Sequence, residues 1–284
     1  MKVVPFSVPK ISKQAFRFQD DKLTYFYDEL HQHPEIQIML IVKSSGTLIA
    51  GDYVGRFEPG ELYIIGSGQA HVFRNDDIYY QAKSKLKAHS YSLYFDENYF
   101  GQHFWQLDEL ESVRNFSRRA ERGLKVTGTT KEAVTNLIQL IDQQKGLNKL
   151  LLFFQILNKL SSTKELKTLS VSSHNPDYSH REGKRMNEIL QFTFRESYRK
   201  IYINEVADVA NLSTEAFCRY FKMRTRKTYT NFLNEVRISN ACKLIIQKDL
   251  NIQEICWQAG FSNLSNFNRI FRKVTGKTPT TYLR

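Results

Sequence analysis

Two groups of side chains in this chain have types and spacings that could do chemistry. The first lies near the C-terminus and occurs twice. Ser213, Glu215, Cys218, Arg219 and Lys222 follow a helical spacing, and Asn263, Ser265, Asn266, Arg269 and Arg272 do so again some fifty residues on. Arginine can bond guanine through two hydrogen bonds and asparagine can do so with adenine, so a helix face of these types suits the reading of base edges. The second group is His31, His33, Gln37 and His71. Neutral imidazoles suit a transition metal, but the amide of Gln37 is a poor substitute for a carboxylate ligand, which argues against a tightly held catalytic metal. The chain contains no nucleophile elbow, phosphate-binding glycine loop or kinase signature.

The elements that must position the first group repeat themselves. Residues 184–284 read as helical throughout. EVADVA at 205–210 aligns with EICWQA at 254–259, and FCRYF at 217–221 with FNRIF at 267–271, the mark of one supersecondary unit in two copies. Val206, Ala207, Ala210, Leu212, Phe217 and Phe221 form the apolar face of the first copy; Ile255, Cys256, Ala259, Phe261, Phe267 and Phe271 form that of the second. Small residues on each leading helix let the next helix cross closely. The turn between them needs a residue that tolerates positive φ, supplied by Asn211 and Gly260. Ser213, and either Ser262 or Asn263, are good N-caps for the helices that follow. This is helix-turn-helix logic. Residues 228–247 between the copies read as one amphipathic helix of roughly 30 Å, close to the roughly 34 Å between successive major-groove faces on one side of DNA.

Charge points the same way. The 284 residues carry net charge +12, and residues 181–284 hold 19 Lys and Arg against 9 Asp and Glu. A basic balance confined to the C-terminal third implies a polyanion partner, because neutralising phosphates releases condensed counterions. Cys218, Cys242 and Cys256 are odd in number with no metal-like spacing, which suggests a reduced cytoplasmic compartment. Residues 1–16 lack a signal-peptide pattern. The longest apolar run, LLLFFQIL at 150–157, is too short to span a bilayer, so no membrane partner is expected.

Residues 25–100 read as short strands (IQIMLIV, LIAGDYVGRF, ELYIIG, HVF, HSYSLYF) separated by turn signals, as in a sandwich or barrel. Residues 130–142 carry a helical stripe that stops near Gly146. Leu147 to Leu160 form a second helix, apolar enough to pack on the barrel or on a second subunit. The polar stretch 170–182 reads as a linker.

Residues 185–284 resemble the DNA-binding domain of AraC/XylS-family transcription regulators through VADVANLSTEAFCRYFK, FLNEVRISNACKLI, IQEICWQAGFSNLSNFNRIFRKVTGKTP and Tyr282. The resemblance implies base and backbone contacts from Glu215, Cys218 and Arg219, and from Ser265, Asn266 and Arg269. The family usually has glycine where this chain has Arg226, which puts the docking of the first unit in question. HQHPEIQI and PGELYIIGSGQAHVFRN resemble the two motifs of the cupin barrel, with Gln37 at the Glu position and Gly66 at a usual Pro. The implied architecture is an α+β multidomain protein. A cupin-like sensor β-barrel (1–107) leads to a helical extension that could dimerise (108–169), a linker (170–182) and an all-α domain with two helix-turn-helix units (183–284). The implied function is a transcription regulator, not an enzyme, that binds promoter or operator DNA and responds to a small-molecule effector near His31, His33, Gln37 and His71. No cofactor and no metal are expected. A homodimer, and RNA polymerase for an activator, are the further expected partners. The competing readings are a metal-dependent cupin enzyme fused to a DNA-binding tail, which Gln37 argues against, and a ligand-independent architectural DNA binder. The size and turn-rich order of residues 25–100 argue against the latter.

Overall fold

The computed structural model describes residues 14–171, 180–247 and 249–282, which fall chiefly into two compact units divided between residues 171 and 180. The first is built on β-sheets and the second on helices.

The first unit begins with β1 (Arg17–Leu23), β2 (Ile36–Lys43), β3 (Gly46–Ala50), β4 (Tyr53–Phe57), β5 (Leu62–Ile65), β6 (His71–Asn75) and β7 (Ala88–Phe95). It continues through α1 (Gln102–Trp105), α2 (Glu111–Ala120), β8 (Leu124–Val126), α3 (Gly128–Ile141), α4 (Gly146–Ser161) and β9 (Leu166–Thr168). One sheet has the order β1-β7-β2-β5-β8-β9 and the other β4-β3-β6. Side chains alternate between the faces of a strand, and here both faces of the larger sheet are covered. Ile36, Ile38, Leu40, Ile64, Leu93 and Phe95 pack with Phe116, Val134, Ile138, Phe153 and Ile156 from α2, α3 and α4. Met39, Ile41, Tyr63 and Ile65 pack with Leu48, Ala50, Phe57 and Phe73 of the smaller sheet. That two-sided burial is why β2 reads as a continuous apolar run.

The five apolar stretches read from the sequence become β2 to β7, with LIAGDYVGRF split into β3 and β4. Three strands and the helices α1 and α2 escaped that reading. β1 (RFQDDKL) is mostly polar, and β8 and β9 have three residues each, too few to show a period. The helical segment after residue 108 returns to the sheet through β8 and β9. Gly66 has its own packing reason, since a Cβ there would meet the Ala120 carbonyl oxygen at 2.4 Å, at the end of α2.

The second unit consists of α5 (His180–Glu196), α6 (Ile203–Val209), α7 (Thr214–Thr225), α8 (Tyr229–Gln247), α9 (Ile252–Gln258), α10 (Leu264–Thr275) and α11 (Pro279–Tyr282). Helix α5 begins within the polar stretch read as a linker, of which residues 172–179 lie outside the described residues. Around α6 and α7, Val206, Ala207, Ala210, Phe217 and Phe221 are buried, with Phe221 at 5.4 Å from Tyr229 and 5.3 Å from Phe232 of α8. Around α9 and α10, Ile255, Cys256, Ala259, Phe261, Phe267 and Phe271 pack on Ile238, Ala241, Cys242 and Ile245 of the same α8. Among the described residues no helix is long and apolar enough to cross a membrane.

Candidate nucleic-acid interface

The local structure of the two helix pairs follows from their capping and turn residues. Asn211, after α6, has φ 53°, and Gly260, after α9, has φ 89°, so both turns pass through the left-handed region. The Ser213 side chain accepts from the Ala216 N–H at 3.2 Å and the Asn263 side chain from the Asn266 N–H at 2.8 Å, which starts α7 and α10 one residue later. Between the two N-cap candidates for α10, Asn263 takes the position and Ser262 precedes it. The leading helices are capped alike, since Glu205 accepts from the Tyr202 N–H and Glu254 from the Asn251 N–H, each at 2.8 Å. This is the reciprocal half of a capping box, encoded by a glutamate three residues into each helix.

With Phe217, Phe221, Phe267 and Phe271 turned into the core, the opposite faces of α7 and α10 are open. Ser213, Glu215, Cys218, Arg219 and Lys222 are all exposed, as are Asn263, Ser265, Asn266, Arg269 and Arg272. Arg269 donates to the Asn266 carboxamide oxygen at 2.8 Å, which pre-orients its guanidinium along the helix. Some cations of this unit are tied to acids and others are not. Arg199, Arg224 and Lys227 are engaged with Glu196, Glu205, Glu182 and Glu235. Among the described residues Arg219, Lys222, Arg226, Arg269, Arg272, Lys273 and Lys277 have no acidic partner. Seven open cations thus lie on or just after α7 and α10, while the exposed Lys200 sits over the Tyr202 ring before α6. The sequence raised Arg226 either as a source of turn strain or as a phosphate contact; Lys273 and Lys277 were not named from it, because only the packing separates open cations from paired ones.

Arg226 occupies the left-handed C-cap of α7 with φ 59°, the place held by Gly276 (φ 74°) after α10. A side chain costs about 1–2 kcal/mol in that region, partly offset by the entropy glycine loses on folding. Arg226→Gly is expected to stabilise the protein by about 0.5–1 kcal/mol, read as a higher urea midpoint with unchanged slope. A lower midpoint would show that the arginine makes a compensating contact.

Arg237 on α8 is a structural residue that the sequence did not single out. Its guanidinium donates to the Ser197 carbonyl at 2.8 Å and to the Arg199 carbonyl at 2.5 Å, and burial lowers its pKa from the ordinary value. It fixes the end of α5 against the turn before α10, since a Cβ on Gly260 would meet the same Ser197 oxygen.

In the first unit, His31 and His71 face each other across a β-bridge with ring centroids 4.2 Å apart, and His33 lies 5.1 Å from His71. Gln37 on β2 donates to the Tyr94 hydroxyl at 3.0 Å and to Ser92 Oγ at 3.3 Å. The four predicted pocket residues thus share one region. A cleft of about 570 Å³ elsewhere in the unit is lined by Pro34, Ile36, Ser67, Phe95, Asp96, Arg114, Ser117, Arg118 and Glu121, and includes none of the four.

Paired short helices, capped alike and turned so that two polar, basic faces stand open, define a helix-turn-helix DNA-binding protein. Residues 206–284 match the family described as "Helix-turn-helix domain". The chain is 25% identical over 267 residues to the uncharacterized HTH-type transcriptional regulator YdeC of Bacillus subtilis (strain 168), covering 90% of this chain and 86% of that protein. It is 22% identical over 256 residues to the HTH-type transcriptional activator RhaS of Shigella dysenteriae serotype 1 (strain Sd197), covering 88% and 85%. The crystal structure of ToxT from Vibrio cholerae O395 is similar with a TM-score of 0.37 at 12% identity, over 95% of this chain and 98% of that one. The chain is a DNA-binding transcription regulator with a helix-turn-helix domain.

Proposed function

We propose that α7 and α10 are two recognition helices that enter successive major grooves of one DNA target, and that the β-sheet unit is a cupin-like sensor whose ligand changes that binding. The observation that carries the first half is the repetition: two equivalent helices, each with an arginine (Arg219, Arg269) two residues before a buried phenylalanine, stand exposed beside open cations. Helix α8, with 19 residues, is about 28 Å long and contributes core residues to both pairs, so it suits a spacer between adjacent grooves. Base contacts are assigned to Glu215, Cys218, Arg219, Ser265, Asn266 and Arg269, and phosphate contacts to Ser213, Lys222, Asn263 and Arg272. The effector site is assigned to the region of His31, His33, Gln37 and His71. Leu140, Leu147 and Leu151 are exposed along α3 and α4 and support a homodimer. The free cysteines support a reduced, cytoplasmic setting.

Selection of bound duplexes from a random pool by the full chain tests this reading. The expected result is an enriched motif with two elements about 10–10.5 base pairs apart, centre to centre. Affinity for it should fall with salt at a log–log slope of about −0.9 per phosphate contacted. Recovery of unenriched sequence, or a salt slope near zero, would reject it.

A further inference from the structure

We propose that the cleft beside α2 binds a zwitterionic α-amino acid with an apolar side chain, its carboxylate on Arg114 and Arg118 and its ammonium on Glu121. The site lies wholly within the β-sheet unit, shares no residue with the effector region assigned above and does not rest on that reading. At about 570 Å³ the cleft falls within the roughly 300–1,000 Å³ typical of small-molecule sites. One wall is a helix face. Arg114, Ser117 and Arg118 of α2, with Glu121 as its C-cap, follow the i, i+3, i+4, i+7 spacing that places side chains on one stripe. The facing wall comes from the sheet, since Ile36 opens β2, Phe95 closes β7, and Pro34 and Asp96 flank them.

The cationic end suits a carboxylate. Arg114 is half-buried, and its Nη1 donates to the Trp105 carbonyl and, at 2.7 Å, to that of Leu107. Those bonds hold the guanidinium in place, while Nε and Nη2, the edge that grips a carboxylate side-on, have no partner among the described residues. Arg118, one turn further on, donates to the Asn115 carboxamide oxygen. Neither arginine has an acidic partner among the described residues. Between them Ser117 is 6% exposed, and its hydroxyl lines the cleft with no hydrogen-bond partner among the described residues. Buried hydroxyls are rarely left unpaired, so a donor of this kind in a cleft wall suits a ligand that accepts. A carboxylate oxygen between the two arginines does so.

The other end carries the opposite charge. Glu121 is exposed and follows Arg118 by three residues, yet it makes no ion pair with it or with any other described cation. It caps the C-terminal end of α2, where the helix dipole adds partial negative charge and favours a bound cation. Asp96 adds a second carboxylate to the lining. Residues three apart on a helix have Cβ atoms about 5–6 Å apart, a separation that the adjacent carboxylate and ammonium of an α-amino acid can bridge. The charge pattern excludes simpler ligands. A dianion such as phosphate would meet the arginines but be repelled by the two acids, and an amine would leave the arginines uncompensated. A zwitterion satisfies both ends, and Pro34, Ile36 and Phe95 supply apolar surface for its side chain.

The test is calorimetric titration of the full chain with L-leucine and L-phenylalanine, then with the deaminated and decarboxylated analogues of whichever binds more tightly. The amino acid should saturate at one equivalent, and each analogue should bind at least tenfold more weakly. Arg118→Gln and Glu121→Gln, both at exposed positions, should each weaken the amino acid by about tenfold or more, the loss of a charge-assisted hydrogen bond. Glu121→Gln should not weaken the deaminated analogue, which has no ammonium to lose a partner. Arg119→Gln, an exposed cation on α2 outside the cleft lining, should leave binding unchanged. Circular dichroism confirms that each variant is folded. No saturable binding of either amino acid, an analogue that binds as tightly, or unchanged affinity in folded Arg118→Gln overturns the site. An equal loss in Arg119→Gln overturns it too, because general surface charge would then account for the effect.

Discussion

The double variant Arg219→Ala/Arg269→Ala is expected to lose its preference for the selected duplex almost entirely while remaining folded. Each arginine is exposed on the open face of its helix, opposite buried phenylalanines, so truncation should change stability by no more than about 0.5 kcal/mol. A bidentate contact to guanine is worth about 1–3 kcal/mol, roughly 5–150-fold in affinity, and contacts in separate grooves should add. The single variants should differ. Arg219 shares its face with Glu215, an acid that repels nearby phosphate, and makes no ion pair among the described residues. Arg219→Ala should weaken binding chiefly to the cognate site and narrow the gap to scrambled DNA. Arg269 is held by Asn266 at 2.8 Å and stands with Ser265 and Arg272, all able to donate hydrogen bonds. Arg269→Ala should weaken binding to both duplexes. Anisotropy titrations at one fixed salt concentration, with circular dichroism of each variant, give the answer. Folded single variants that bind like the parent would mean that these helices do not read the DNA.

Gly260→Ala is expected to be the most destabilising single-methyl change in the helical unit. The added Cβ would lie 2.2 Å from the Ser197 carbonyl oxygen and 2.8 Å from Arg237 Nε, at a residue with φ 89°. It would therefore meet unfavourable backbone geometry and intrude on the hydrogen bond between those two groups. Disturbing the half-buried Arg237 guanidinium while straining a left-handed turn belongs among the severe mechanisms, at about 3 kcal/mol. For a unit of this size, that lowers the melting temperature by more than about 10 °C. Asn211→Gly, at the equivalent turn with φ 53°, should be close to neutral, because asparagine tolerates this region. A Gly260→Ala protein that melts within 2 °C of the parent would show that α5 and Arg237 do not constrain the second turn as described.

The helical unit was largely legible because its information is local. The period of Phe217, Phe221, Phe267 and Phe271, the caps at Ser213 and Asn263, and the turn residues Asn211 and Gly260 act within one or two helical turns, so a pattern of residue types carries them. The β-sheet unit was legible only where a strand has enough apolar residues to show itself. β1 and the three-residue β8 and β9 are held in place by hydrogen bonds to partners far away in the chain, and nothing in their own composition marks them.

By itself the sequence determined the division into a turn-rich β region and a basic helical region, the twofold repeat, and which faces of α7 and α10 stay polar. These follow from side-chain period and net charge, which belong to the chain before it folds. Tertiary structure decided which cations remain open and which are tied to Glu182, Glu196, Glu205 and Glu235, because ion pairing depends on separations in space. It also set the distances at which His71 meets His31 and His33, forty and thirty-eight residues away along the chain, which the cupin-like motifs had already grouped. The pairing of backbone between His31 and His71 places those rings together, and three backbone carbonyls fix which nitrogen each presents. The cupin-like motifs grouped the imidazoles; the fold set their spacing and orientation.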